Sequence, residues 1–291
     1  GLVGSEMCIR DRWGMSPQDA QEIFTERTPR VVNAAKLHRA AARKKAGVFL
    51  VEGENSVEAA IATGSATDVF VTMAAAERFE PIIRTAGYLN VYVHYINDKA
   101  AKHLADTATT TGLFAVCKPV LWSVAKVLTP QPQLVSVPVE TNDPGNAGTL
   151  IRVADAMGAD AVVFAGETAD PQSCKAARAS AGSLFHVPVA RSTNVKDVLG
   201  QLRAQGLQIV ATAADGEVSL DEAGEILTKP TAWLFGNEAH GLGEELLAEA
   251  DLRVSIPIRG RAESLNLATA ASICMYESAR AQAAQRDAAQ D

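Results

Sequence analysis

Three short segments of this chain combine polar, charged and glycine residues in a way that a plain hydrophobic core does not require. The first reads Thr141-Asn142-Asp143-Pro144-Gly145-Asn146-Ala147-Gly148-Thr149-Leu150-Ile151-Arg152. The second is Leu234-Phe235-Gly236-Asn237-Glu238-Ala239-His240-Gly241-Leu242. The third runs Ile256-Pro257-Ile258-Arg259-Gly260-Arg261-Ala262-Glu263-Ser264-Leu265-Asn266-Leu267. Carboxamides, a guanidinium, a carboxylate and a hydroxyl can orient a polar substrate, and glycines let a backbone come close to a ligand.

Structural explanations cover part of this set. Asp143 suits a helix N-cap and Pro144 the first helical position. Ser264 or Asn266 can cap a final helix, and a tight turn accounts for Gly236 and Gly241. Asn146, Gly148 and Arg152 are left over. Asn146 and Arg152 are separated by about 600° of helix rotation, so a continuous helix does not point them the same way. Either Asn146 lies in the turn before the helix, or the two serve different parts of a composite site.

The elements around these segments follow an α/β alternation. Strands are expected at Leu134–Val139, Ala161–Ala165, Gln208–Ala213, Ala232–Phe235 and Arg253–Ile256, with helices near Ala147–Met157, Ser173–Ala181, Val195–Ala204 and Leu265–Ala283. Val- and Ile-rich strands interleaved with helices indicate a mostly parallel sheet covered on both faces. Each segment then stands beyond the carboxyl end of a strand, where open α/β sheets hold their ligands. The first part of the chain reads as a smaller α/β/α layer, with strands at Val48–Val51, Asp68–Thr72, Val91–Tyr95 and Leu113–Cys117 and a helix over Asn55–Thr63.

These patterns divide the chain into residues 27–120, a Pro- and Gln-rich linker over 121–133, and a second domain over 134–284. A tail follows at 285–291, expected to fray, and residues 1–26 form a leader. Residues 1–14 show no period, and Met15 is the expected true start. The chain has 291 residues, 47% hydrophobic and 21% charged, a globular balance. No apolar run approaches a membrane span, and no secretory h-region stands at the N-terminus. Cys8, Cys117, Cys174 and Cys274 form no CxxC pair, and the five histidines lack ligand spacing. Neither disulfides nor a metal is expected, and a reducing cytoplasm is the default.

Net charge is −7, yet seven basic residues and no acid stand between Arg27 and Lys45. A helix over Arg30–Lys45 ending at Gly47 places Lys36, Arg39 and Arg43 on one face. Such a stripe is either a solvated face or a patch that attracts a polyanion to an acidic body.

In this order, the three segments resemble the signature motifs of the SpoU/TrmH methyltransferase family. The first reads Asp143-Pro144-x-Asn146-x-Gly148-x-x-x-Arg152, the second Gly236-x-Glu238-x-x-Gly241, the third Ile256-Pro257-x-x-Gly260-x-x-x-Ser264-Leu265-Asn266. Between them, Arg178-Ala179-Ser180-Ala181-Gly182 resembles the family's Arg-Ala-Ser-x-Gly segment. The run ending in Phe49-Leu50-Val51-Glu52-Gly53 resembles the L30e-like substrate-binding domain often fused in front. Ala147 replaces a more usual Leu.

The resemblance implies a two-domain α/β protein, with an L30e-like domain ahead of a SPOUT domain carrying a deep trefoil knot. It implies an S-adenosylmethionine-dependent RNA 2′-O-ribose methyltransferase acting as a homodimer, with ribosomal RNA the first candidate substrate. A tRNA enzyme, a thiostrepton-resistance-type enzyme and a non-catalytic RNA-binding protein share parts of the layout. Carried over, the catalytic set is Asn146, Arg152, Glu238, Ser264 and Asn266. The donor set is Phe235, Gly236, Asn237, Gly241, Ile256, Ile258, Gly260, Ser264 and Leu265. Arg30, Lys36, Arg39, Arg43 and Arg178 are the expected RNA contacts. Arg152 keeps its proton and so is a poor base. Its implied role is to bind a phosphate or a developing alkoxide, with Asn146 orienting the ribose or Arg152, and Glu238 fixing Asn146 or the motif loops.

Overall fold

A computed structural model describes residues 22–290. Contacts divide the chain into two units, one ending at Lys118 and the other beginning at Pro119. Residues 1–21, with Met15 and most of the expected leader, lie outside the described residues.

In the first unit, Pro29 opens helix α1 (Pro29–Ala35), which tightens into a 3-10 turn at Lys36–His38. Arg39 is extended, with φ −93° and ψ 131°, and α2 (Ala40–Ala46) then ends at left-handed Gly47. β1 (Phe49–Glu52) is wholly buried and leads to α3 (Glu54–Ala62) and β2 (Ala66–Thr72). Then come α4 (Met73–Arg78), α5 (Glu80–Tyr88), β3 (Tyr92–Ile96), α6 (Asp98–Leu104) and β4 (Leu113–Cys117). The sheet order is β1-β4-β2-β3, with β4 antiparallel to both neighbours and β3 parallel to β2.

Two expectations change here. The basic segment is not one helix, because it breaks at Arg39. Arg43, only 8% exposed, turns inward and donates to the carbonyls of Leu37 and His38 at 3.0 and 3.1 Å. Those carbonyls end the 3-10 turn without helical partners, and the guanidinium supplies donors for them. Arg43 is therefore a structural clamp and leaves the expected stripe. The leader also ends earlier than residue 26. Phe24 N donates to Tyr95 O at 2.8 Å, Asn97 N donates to Phe24 O at 3.0 Å, and the Phe24 ring stacks on His94 at 5.1 Å.

The second unit begins with β5 (Leu121–Trp122) and α7 (Val124–Val127). These lie in the stretch expected to be linker. Val124, Val127 and Leu128 enter the core, and β5 pairs with β8 as an edge strand, so only the Pro- and Gln-rich residues that follow are irregular. Next come β6 (Leu134–Pro138), α8 (Pro144–Ala156), β7 (Ala161–Ala165), α9 (Cys174–Ala179), β8 (Val189–Ser192) and α10 (Val195–Ala204). β9 (Gln208–Thr212), β10 (Val218–Ser219), β11 (Thr231–Phe235), α11 (Glu244–Glu249), β12 (Leu252–Ser255) and α12 (Leu267–Ala288) complete it. α12 continues past Arg286, where fraying was expected.

All strands of this sheet are parallel, in the order β10-β12-β9-β11-β6-β7-β8-β5. β6, β7 and β11 are buried along their whole length, as a sheet covered on both faces requires. Cys117, Cys174 and Cys274 are buried, and none of them forms a disulfide among the described residues. No helix among the described residues is long and apolar enough to cross a membrane.

Candidate active site

The first two segments follow the adjacent strands β6 and β11. The Asp143 carboxylate caps α8 by accepting from Asn146 N at 2.8 Å, and Pro144 follows it at the first helical position. Asn146 is thus inside the helix and not in the turn before it. α8 is unbroken to Ala156, so Arg152 stands about 9 Å further along and about 120° round from Asn146. Arg152 is exposed, and no described residue gives it a hydrogen bond or ion pair. The two therefore point in different directions, which removes the first of the alternatives left open by the sequence. Gly148 has a packing reason: a Cβ there would come within 2.1 Å of Ala176 O and 2.9 Å of Ser180 N, in the backbone of α9 and its end.

The second segment acts as a brace. Asn237 N donates to Gly241 O at 3.2 Å and Gly241 N returns a bond to Asn237 O at 2.9 Å. The approach is so close that a Cβ on Gly236 would stand 2.5 Å from the Gly241 carbonyl carbon, and Gly241 has φ +66°. The Asn237 side chain donates to Glu140 O at 2.6 Å and accepts from Ala239 N at 2.8 Å. Glu238 accepts from Asp143 N at 3.3 Å and from Asn142 N at 3.5 Å. Glu238 therefore holds the loop of the first motif. Thr141 in that loop is fully buried, and its hydroxyl has no partner among the described residues.

In the third segment Asn266 caps the last helix and also reaches the first segment. Its Oδ1 caps α12, accepting from Ala268 N at 2.9 Å and Thr269 N at 3.3 Å, while its Nδ2 lies 3.5 Å from Asn146 Oδ1. Beyond β9 and β12 lies a cleft of about 420 Å³ lined by Thr212–Ala214, Val254–Ile258, Glu263–Leu265 and Ala270. Of the expected donor residues it contains Ile256, Ile258, Ser264 and Leu265, and Gly260 stands outside it. Phe235 is fully buried, stacked on Trp233, and Gly236 and Asn237 build the bracing loop. Gly241 lines a separate cleft of about 280 Å³ with Glu140 and Lys196. Sequence reasoning missed Thr212, Ala213 and Ala214. The one signal for them was their position at the carboxyl end of a strand.

The expected RNA contacts also separate. Lys36 and Arg39 are exposed. Arg30 pairs with Asp68 at 3.2 Å, and His94 bonds the same carboxylate oxygen at 2.8 Å. The His94 hydrogen bond is the main cause that holds the Asp68 carboxyl below its ordinary range. Arg178 is half-buried on α9 and engaged.

Fold and site together describe an α/β protein whose motif loops gather beyond the carboxyl ends of a parallel sheet. Residues 133–276 match the SpoU rRNA Methylase family, and residues 28–115 match the MRM3-like substrate binding domain. The 23S rRNA (guanosine(2553)-2′-O)-methyltransferase RlmP of Bacillus subtilis is 33% identical over 257 residues, 88% of this chain and 98% of its own. An AdoMet-bound rRNA methyltransferase from Sinorhizobium meliloti superposes with TM-score 0.77 at 30% identity, covering 89% of this chain and 97% of that one. The SpoU methyltransferase AviRb from Streptomyces viridochromogenes, in complex with AdoMet, gives TM-score 0.77 at 27% identity, over 88% of this chain and 100% of that one. The chain belongs to the SpoU rRNA methylase family.

Proposed function

We propose that this protein transfers the methyl group of S-adenosylmethionine to a ribose 2′-hydroxyl of ribosomal RNA, acting in the cytoplasm. The observation that carries the reading is the pairing of Asn146 with Asn266, 120 residues apart in sequence and 3.5 Å apart in space. The cleft of about 420 Å³ beyond β9 and β12 suits the donor in size. Glu263 lines it and no Lys or Arg does, which suits a sulfonium cation. Bound there, in the part of the chain that the family ties into a trefoil knot, the donor supplies an electrophilic methyl carbon.

The protein's own residues do the rest. Asn146 and Asn266 present carboxamides to a ribose and would orient its 2′-oxygen toward a donor held in the cleft. Glu238 keeps the loop that leads into α8 and Asn146 in place through the amides of Asn142 and Asp143. Arg152 stays protonated and binds a phosphate or the oxygen as negative charge develops on it. The first unit grips the RNA through Lys36, Arg39 and their neighbours. We propose a homodimer whose site is completed across the interface. Ile258, Leu265 and Tyr276 of the third motif and α12 are 41%, 37% and 54% exposed, apolar surface that a second copy would cover.

The test uses purified enzyme, labelled donor, and 23S rRNA beside tRNA as acceptors. Label should enter rRNA at a position resistant to alkaline cleavage, since a methylated 2′-oxygen cannot attack its own phosphate. Arg152→Ala should stay folded and lose on the order of 10²–10³ in rate. Wild-type turnover in that variant, or a strictly monomeric species that still methylates, would contradict the respective assignment.

A further inference from the structure

The RNA-methylating reading leaves one cation beside the first motif without a role. We propose that Lys175 is a further substrate-binding residue, whose ammonium holds a phosphate of the nucleotide presented to Asn146.

Lys175 is the second residue of α9, a helix that Ser173 caps through Ala176 N at 3.3 Å. α9 is locked onto α8 at Gly148, where no side chain fits. This close seam sets where Lys175 reaches. Its Cε stands 4.0 Å from the place a Cβ would take on Gly145, so the stem crosses the first turn of α8, one residue before Asn146. Lys175 is exposed, and no described residue gives it a hydrogen bond or ion pair.

The nearby carboxylates are engaged elsewhere. Asp143 Oδ1, 3.0 Å from the same point at Gly145, caps Asn146 N. Glu238 accepts from the amides of Asn142 and Asp143. An ammonium placed so is available to an incoming anion, and the reaction brings one. A ribose 2′-oxygen sits on the carbon next to the one bearing the 3′-phosphate, so a sugar held at Asn146 carries a phosphate within a single ring's reach. A compact charge on a flexible stem suits a phosphate contact that must follow the sugar into place.

The neighbouring side chains extend the same line of charge. Arg178 stands three residues on along α9, on the same face as Lys175. Gly145, Gly148 and Arg152 fall within about 60° of one another around α8, so Arg152 lies on the side that α9 covers. The α8–α9 seam thus carries cations from the first turn of α8 toward its far end.

Lys175→Gln and Lys175→Arg decide the matter, with in vitro-transcribed 23S rRNA as probe. Binding is titrated at several salt concentrations, methyl incorporation gives KM and kcat, and calorimetry gives donor affinity. Lys175→Gln should make the log-affinity against log-salt slope shallower by about 0.7–0.9. Its KM for RNA should rise at low salt, with the gap to wild type closing as salt increases. Donor affinity and melting temperature should hold, and Lys175→Arg should restore the slope. An unchanged slope and KM in Lys175→Gln would overturn the proposal. So would a joint fall in melting temperature and donor affinity that Lys175→Arg does not repair, which marks a packing role. Wild-type enzyme that transfers no methyl to RNA would overturn the underlying reading, and this inference with it.

Discussion

Asn266 caps α12 with one end of its carboxamide and is proposed to serve methyl transfer with the other, and two substitutions separate these duties. Asn266→Ala removes the Oδ1 that accepts from Ala268 N and Thr269 N at the start of the 22-residue helix α12. Losing an N-cap of this kind costs about 1 kcal/mol. In a unit of this size that corresponds to a fall of roughly 2–4 °C in melting temperature. Asn266→Asp keeps the cap, because a carboxylate accepts the same two bonds and favours the helix N-terminus. It loses the Nδ2 donor that stands 3.5 Å from Asn146 Oδ1, and it adds negative charge where the proposed reaction places the 2′-oxygen. The alanine variant should therefore be less stable and nearly inactive. The aspartate variant should be as stable as wild type and slower by on the order of 10² or more. Thermal melts read the first quantity and single-turnover methyl transfer the second. Full activity in Asn266→Asp would show that the amide donor has no part in the chemistry and that Asn266 is a cap alone.

Arg43→Gln should lower the melting temperature of the first unit, since hydrogen bonds from a charged donor contribute about 1.5–3 kcal/mol. Lys36→Gln with Arg39→Gln should leave that temperature alone and reduce the salt dependence of RNA binding instead; equal effects from both sets would restore the single-stripe picture. Gly148→Ala should cost at least about 1–3 kcal/mol by overpacking, because the atoms met are backbone, and circular dichroism melts would expose a harmless substitution. The Arg253 hydrogen bonds are the main cause that holds Glu217 at about pKa 2, below its usual 4.5. The stability it lends is complete above pH 4.5 and disappears as pH falls toward 2, so the melting-temperature gap between wild type and Glu217→Gln should close over that window. A gap that persists at pH 2 would mean that the charge is irrelevant.

Much of the second unit was legible because its strands are uninterrupted apolar runs. Ala161–Ala165 and Val195–Ala204 have the expected bounds, and β11 begins one residue earlier than expected. What escaped was short or lacked contrast. β5 and β10 have two residues each, below any period that a pattern can reveal, and β8 follows a proline and alternates only once. The basic segment misled for a different reason. Arg39 and Arg43 are the same residue type in similar company, and Arg43 is the one that turns inward to the carbonyls of Leu37 and His38. In the site, glycine and asparagine spacing located the three loops. It did not say that Asn237 would be used up on Glu140, or that Gly148 answers to α9. Those facts depend on partners distant in sequence.

The position of β11 bears on how the protein is made. It is translated after both β6 and β9, yet it lies between them, and the Asn237 bond to Glu140 closes a span of 97 residues. Until that strand leaves the ribosome, β6 and β9 each present an open edge, and the loop before α8 lacks its brace. Open edges of this kind are where growing chains mispair, and long-range closure of this kind is slow. The three motif segments can consequently come together only after β11, β12 and α12 have emerged.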